Sequence, residues 1–130
     1  MLLFGHRFID SEKFYHISDI DAIIHTPPSS TIYLEFNEKN LDIINHLNVN
    51  NIKSAISIKN ITELIYISAL NTTYAIVSKE LAKKAQNIVE NYLLDIKIIV
   101  KIENETEIEH MAELNIDGVV FPNTIIKTNS

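Results

Sequence analysis

Apolar, β-rich stretches recur along this chain at a nearly constant interval. They begin near Ile32, Lys53, Tyr74, Ile96 and Gly118, so successive starts lie 21, 21, 22 and 22 residues apart. The stretches are Ile32-Tyr33-Leu34-Glu35-Phe36, Ser54-Ala55-Ile56-Ser57-Ile58, Tyr74-Ala75-Ile76-Val77, Ile96-Lys97-Ile98-Ile99-Val100 and Val119-Val120-Phe121. A strand with one face in water alternates apolar and polar residues. These stretches are rich in Ile and Val on both faces, which is the habit of buried parallel strands.

Between the strands the period changes to that of a helix. Leu81, Ala85, Ile88, Val89 and Tyr92 make one stripe within 79–93. Ile61, Leu64, Ile65 and Ser68 make a second, Ile108, Met111 and Ala112 a third, and Leu41, Ile44 and Leu47 a fourth. Asn60 with Glu63 and Asn104 with Glu107 have capping-box spacing, and Asn37 and Ser78 are plain N-cap candidates. Strands alternating with single helices call for right-handed βαβ crossovers and a mostly parallel sheet.

The repeat occupies 31–123, and no linker divides the chain, so one α/β domain over 1–130 is expected. Residues 1–30 depart from the pattern. Leu2–Ile9 and Phe14–Ile17 read as two strands joined through Asp10-Ser11-Glu12-Lys13, in the manner of a hairpin, with a short capped helix at 18–25 and a Pro-containing loop at 26–30. Repeated units of this size resemble a fragment of a (β/α) barrel, but a full eight-unit barrel takes ~250 residues. Two architectures fit: an open doubly wound sheet, which is the preferred expectation, or a partial barrel.

Composition removes several functions. There is no cysteine, hence no disulfide, thiolate metal site or thiol nucleophile, and a reducing cytoplasm suits the chain. The net charge of −6, with no dense Lys/Arg cluster, argues against nucleic acid. No apolar run approaches the ~20 residues of a membrane helix, and residues 1–7 lack the pattern of a signal peptide. With only Gly5 and Gly118, neither a dinucleotide-binding turn nor a phosphate-binding P-loop can be written. No cofactor and no metal is implied.

What remains is positional. In parallel α/β sheets ligands sit beyond the carboxyl ends of the strands. Those ends carry His6 and Arg7, Glu35, Lys59, Lys79 and Lys101. The three lysines recur at nearly the same point of three successive units. Helix N-termini would aim backbone N–H groups at the same rim. Together these residues are candidates for a cationic crevice that takes phosphate or carboxylate. An Arg beside a His can grip an oxyanion, and Glu35 interrupts an apolar strand and needs a partner if buried. Each also has a plainer reading, as a solvated strand end or a structural ion pair.

At these residues the chain resembles the glycerophosphodiester phosphodiesterase family of metal-dependent (β/α) barrels. That family has His-Arg at the end of its first strand, matched by His6-Arg7. It has Glu-x-Asp or Glu-x-Glu after the second strand, where Glu35-Phe36-Asn37 stands, and Glu-x-Lys later, where Ser57-Ile58-Lys59 stands. Asn104-Glu105 and Asp117-Gly118-Val119-Val120 are similar to its closing motifs. Phe8 stands where a glycine is expected, and Asn37 and Ser57 stand where carboxylate ligands are expected. The resemblance therefore implies a shortened, non-catalytic relative that has lost metal carboxylates and keeps Arg7 and Lys59 for an anion.

Three functions follow from different classes. The first is a non-catalytic binding module for a small anionic metabolite at the strand ends. The second is a structural module acting through self-association. Two open sheet edges would invite pairing, and a homodimer is expected with Ile125 and Ile126 near the contact. The third is a barrel-type phosphodiesterase or lyase.

Overall fold

The computed structural model describes residues 1–128. Its strands are β1 (Leu2–Phe4), β2 (Phe14–His16), β3 (Thr31–Glu35), β4 (Ser54–Ser57), β5 (Tyr74–Val77), β6 (Lys97–Lys101), β7 (Gly118–Val120) and β8 (Ile125–Lys127). Its helices are α1 (Leu41–Val49), α2 (Ile61–Ala69), α3 (Lys79–Tyr92) and α4 (Ile108–Glu113). The eight strands form one sheet in the order β1-β7-β6-β5-β4-β3-β2-β8, and every neighbouring pair is parallel. The repeat thus yields the parallel α/β sheet it predicts.

Of the two architectures it is the partial barrel that forms. The reason lies in where the helices pack. Alternate strand residues Ile32, Leu34, Ile56, Ala75, Val77, Ile98, Val100 and Val119 face one core, which contains Ile44, Leu47, Leu64, Ile67, Ala82, Ala85, Val89 and Met111 from all four helices. The opposite residues, Phe4, Phe14, Tyr33, Ala55, Tyr74, Ile76, Ile99 and Val120, form a second core with no helical residue in it. A doubly wound sheet needs helices on both faces. Here the second face is covered by the sheet itself, which curls until Phe4 of β1 and Phe14 of β2 meet at 5.0 Å between ring centroids. Five strands separate those two in the hydrogen-bonded order. Tyr74 packs on both rings, at 5.4 and 5.8 Å.

The N-terminal hairpin does not form. β1 ends at Phe4 and pairs in parallel with β7, while β2 lies at the far side of the sheet between β3 and β8. Residues of β1 and β2 are needed at separate places on the inner face, so the segment between them spans the barrel instead of turning tightly. Residues 122–127 are likewise ordered into elements, a short turn of helix and a strand. Ile125–Lys127 form β8, which pairs with β2 and covers an edge that the sequence leaves open.

Both glycines are there for space. Gly118 opposes Leu2, and a Cβ on it would stand 2.8 Å from Leu2 Cβ and 2.9 Å from Ile99 Cδ1. Gly5 has φ +89°, and a Cβ there would run into Thr124 and Asn123. The link from β7 to β8 passes over the end of β1 at this point. Phe121 N–H donates to the Phe4 carbonyl at 2.9 Å and Asn123 Nδ2 donates to the Gly5 carbonyl at 3.1 Å.

At the N-terminal end of the strands, Glu12 reaches across the barrel floor. Its carboxylate accepts from Thr31 Oγ1, from Lys53 Nζ at 3.1 Å and from Tyr74 OH at 3.4 Å. Helix starts follow the caps. Glu63 N–H donates to Asn60 Oδ1 at 2.9 Å, Asn40 N–H to Asn37 Oδ1 at 3.0 Å, and Asn104 with Glu107 makes a complete capping box; Ser78 caps without a side-chain bond. Two stripes shift from expectation. Gln86 replaces Tyr92 on the buried face of α3, with Tyr92 70% exposed, and Ile67 rather than Ile65 is buried in α2. No helix among the described residues is long and apolar enough to cross a membrane.

Candidate functional site

Strand register decides what faces the barrel mouth. His16 pairs with Tyr33 on one side and Lys127 on the other, so all three point to the inner face. Ser57 and Glu35 pair at the ends of β4 and β3, and Lys101 pairs with Val120 at the ends of β6 and β7. His16, Lys101 and Lys127 line one cleft of about 450 Å³, beyond the carboxyl ends of the strands. Its apolar wall comes from Val120, Phe121, Pro122 and Ile125, and Glu103 and Lys79 stand at its rim.

Tyr33 organises the cationic side. The His16 ring meets the Tyr33 ring edge-on at 5.1 Å, and Lys101 Nζ lies 5.5 Å from the centre of the same ring. The Thr128 N–H and hydroxyl both donate to the His16 carbonyl at 3.1 Å, which fixes β8 beside β2. Burial holds His16 below its ordinary value of 6.5. Lys127 lowers it further, Glu35 opposes the shift and Lys101 adds to it. The imidazole is thus neutral at neutral pH, with two ammonium groups near it.

Those two lysines differ from Lys53 and Lys79, which are held by carboxylates. Lys53 bridges Glu12 at 3.1 Å and Lys79 bridges Glu107 at 2.5 Å. Among the described residues, neither Lys101 nor Lys127 has such a carboxylate partner. Glu107 also accepts from the Glu103 and Asn104 N–H groups at 3.0 and 3.1 Å, and these bonds together with that of Lys79 pull its carboxyl down to about 2.

Of the residues singled out from sequence, only Lys101 and Lys79 reach this cleft. The three lysines are not equivalent. Lys101 ends a strand facing inward, Lys79 opens α3 and is held by Glu107, and Lys59 precedes α2 with its side chain exposed. Lys59 and Lys79 do not stand at the same point of their units, because Ala55 pairs with Tyr74 and faces inward, whereas Ala75 faces the helices. Glu35 is exposed at the end of β3, where it acts on His16.

His6 and Arg7 follow β1 in a turn and share Glu105. His6 Nε2 lies 2.8 Å from Oε2, and Arg7 donates from one guanidinium nitrogen to Oε2 at 2.7 Å and from the other to Oε1 at 3.3 Å. Hydrogen bonds from Arg7 and His6 hold the Glu105 carboxyl below its ordinary value. The dyad is thus engaged by a carboxylate from the segment after β6, outside the cleft lining. Asp117 lies at the opposite end of the barrel, where its carboxylate accepts from Ile98 N–H at 2.9 Å. Among the described residues, no three His, Cys, Asp or Glu side chains converge as metal ligands would.

His16 and Lys127 are the cleft residues that sequence reasoning misses. Phe14-Tyr15-His16 does read as a strand, but its partner β8 is 111 positions away, with Phe14 opposite Ile125. The available signal is the Ile125-Ile126-Lys127 triplet, which is β-rich and ends in a cation as β6 does. No protein-family model matches the sequence, and a search of curated proteins finds no match.

Proposed function

We propose that this chain is a binding module for a small anion, seated at the barrel mouth between Lys101, Lys127 and His16. One observation carries the reading. Two ammonium groups, neither with a carboxylate partner among the described residues, line one cleft together with His16. Like charges held near each other repel, and at a site with apolar walls that repulsion is only partly screened. An anion between them removes the repulsion and accepts charge-assisted hydrogen bonds. The position agrees with the general rule that parallel α/β sheets bind ligands beyond their strand carboxyl ends. His16 can donate from one ring nitrogen while neutral, or take up a proton when the anion arrives.

Thermal stability in rising phosphate, sulfate and simple carboxylates tests the reading. A site-bound anion stabilises the fold by about 2.7 kcal/mol at a hundred times its Kd. The shift should vanish in the Lys101→Ala, Lys127→Ala double variant and persist in Lys83→Ala, on the exposed side of α3. Absence of a shift with every anion, or the same shift in the double variant, overturns it.

A further inference from the structure

We propose that the cleft takes an organic phosphate monoester with a compact apolar body, in preference to a bare anion. This rests on the anion reading above and names the ligand class for the same site. The cleft has two chemically distinct walls. The charged one is His16, Lys101 and Lys127; the apolar one is the continuous segment Val120-Phe121-Pro122 with Ile125. A hydrated inorganic ion needs only the first. The second gains nothing until apolar surface covers it, and a volume of about 450 Å³ falls in the range of small-molecule pockets.

The charges select the head. Two lysines with no carboxylate partner among the described residues match a dianion, whereas a carboxylate would neutralise one of them. Lys79 adds little, because Glu107 holds it at 2.5 Å. Glu103 at the rim repels negative charge from that side. A ligand with its charge at one end only, turned toward β2, β6 and β8, satisfies both conditions. Its body then lies along the β7–β8 link.

Calorimetric titration of the full chain with inorganic phosphate, phenyl phosphate and phenol separates the possibilities. Covering on the order of 60 Å² of apolar surface is worth about a tenfold gain in affinity. Phenyl phosphate should therefore bind at least about tenfold more tightly than inorganic phosphate, with phenol far weaker than either. Pro122→Asn and Ile125→Ser should each reduce the ratio of the two phosphate affinities. Pro122 is exposed, so its variant reports even if Ile125→Ser unfolds. Equal affinity for the two phosphates, or a ratio unchanged in folded variants, overturns the apolar body and leaves the anion reading standing. Phenol binding as well as phenyl phosphate overturns the charged head. Binding of neither phosphate removes the anion reading and this inference together.

Discussion

Gly5→Ala is the sharpest perturbation of the architecture, because one methyl group tests both the strand path and the site it supports. Gly5 sits at φ +89°, a region that costs an L-residue about 1 kcal/mol. The new Cβ would also run into Thr124 Oγ1 and Asn123 Oδ1, and it would stand 3.3 Å from Phe121 Cβ. Overpacking of this kind costs about 1–3 kcal/mol. Thr124 is fully buried and cannot swing into water. The expected loss is about 2–4 kcal/mol, a large share of a typical domain stability of about 5–15 kcal/mol. Urea unfolding followed by far-UV circular dichroism measures it, and the midpoint should fall with little change in slope. Gly118→Ala supplies the comparison. Its φ is ordinary and its crowding is against Leu2 and Ile99, so only the overpacking part, about 1–3 kcal/mol, applies. A loss below about 1 kcal/mol for Gly5→Ala, or a larger loss at Gly118 than at Gly5, would refute the path of the β7–β8 link over β1.

Three further outcomes are expected. His16 has a folded pKa below 6.5, so the unfolded chain binds the proton more readily; the stability this confers is whole above 6.5 and is lost as pH falls through the lowered value. His16→Asn should flatten that part of a pH–stability curve, and an unchanged slope between pH 5 and 7 contradicts the assignment. Glu107, pulled down to about 2 by Lys79 and two backbone N–H groups, stabilises the fold above its ordinary 4.5, and this contribution disappears as pH drops toward 2. Glu107→Gln should therefore narrow the stability gap between pH 5 and 3, as read by thermal melts. Glu103→Gln removes a carboxylate from the cleft rim and should raise phosphate affinity a few-fold at low salt, with the gain shrinking as salt is added; weaker binding would place the anion elsewhere.

The parallel sheet and its helices are legible in the sequence because each βα unit carries its own signals: a β-branched run, an Asn cap and a helical stripe. Curling is not local. It depends on Phe4, Phe14, Tyr33 and Tyr74 meeting across the barrel, and no single unit shows that its second face will lack helices. β1 reads as a strand but ends after three residues, β8 is too short to stand out, and the partners of both are far away in sequence. The cleft suffers from the same blindness. Lys101 is found because it ends a long strand, whereas Lys127 belongs to a strand that exists only through β2. Lys59 and Lys79 look equivalent to Lys101 by position, yet a one-residue difference in register changes the face to which a side chain belongs. The His6-Arg7 dyad is conspicuous in sequence, and its nearest partner, Glu105, is the carboxylate that a structural ion pair would have.

The most direct measurement of the central claim is a histidine-resolved NMR titration. The chain has five histidines, at positions 6, 16, 25, 46 and 110. An anion between Lys101 and Lys127 replaces two repulsive charges near His16 with an attractive one, so its pKa must rise. Ring resonances followed from pH 5 to 8, with and without saturating phosphate, should show His16 moving upward while His25, His46 and His110 keep their curves. An unmoved His16, or a shift confined to His6 beside Arg7, would contradict a binding site at the barrel mouth.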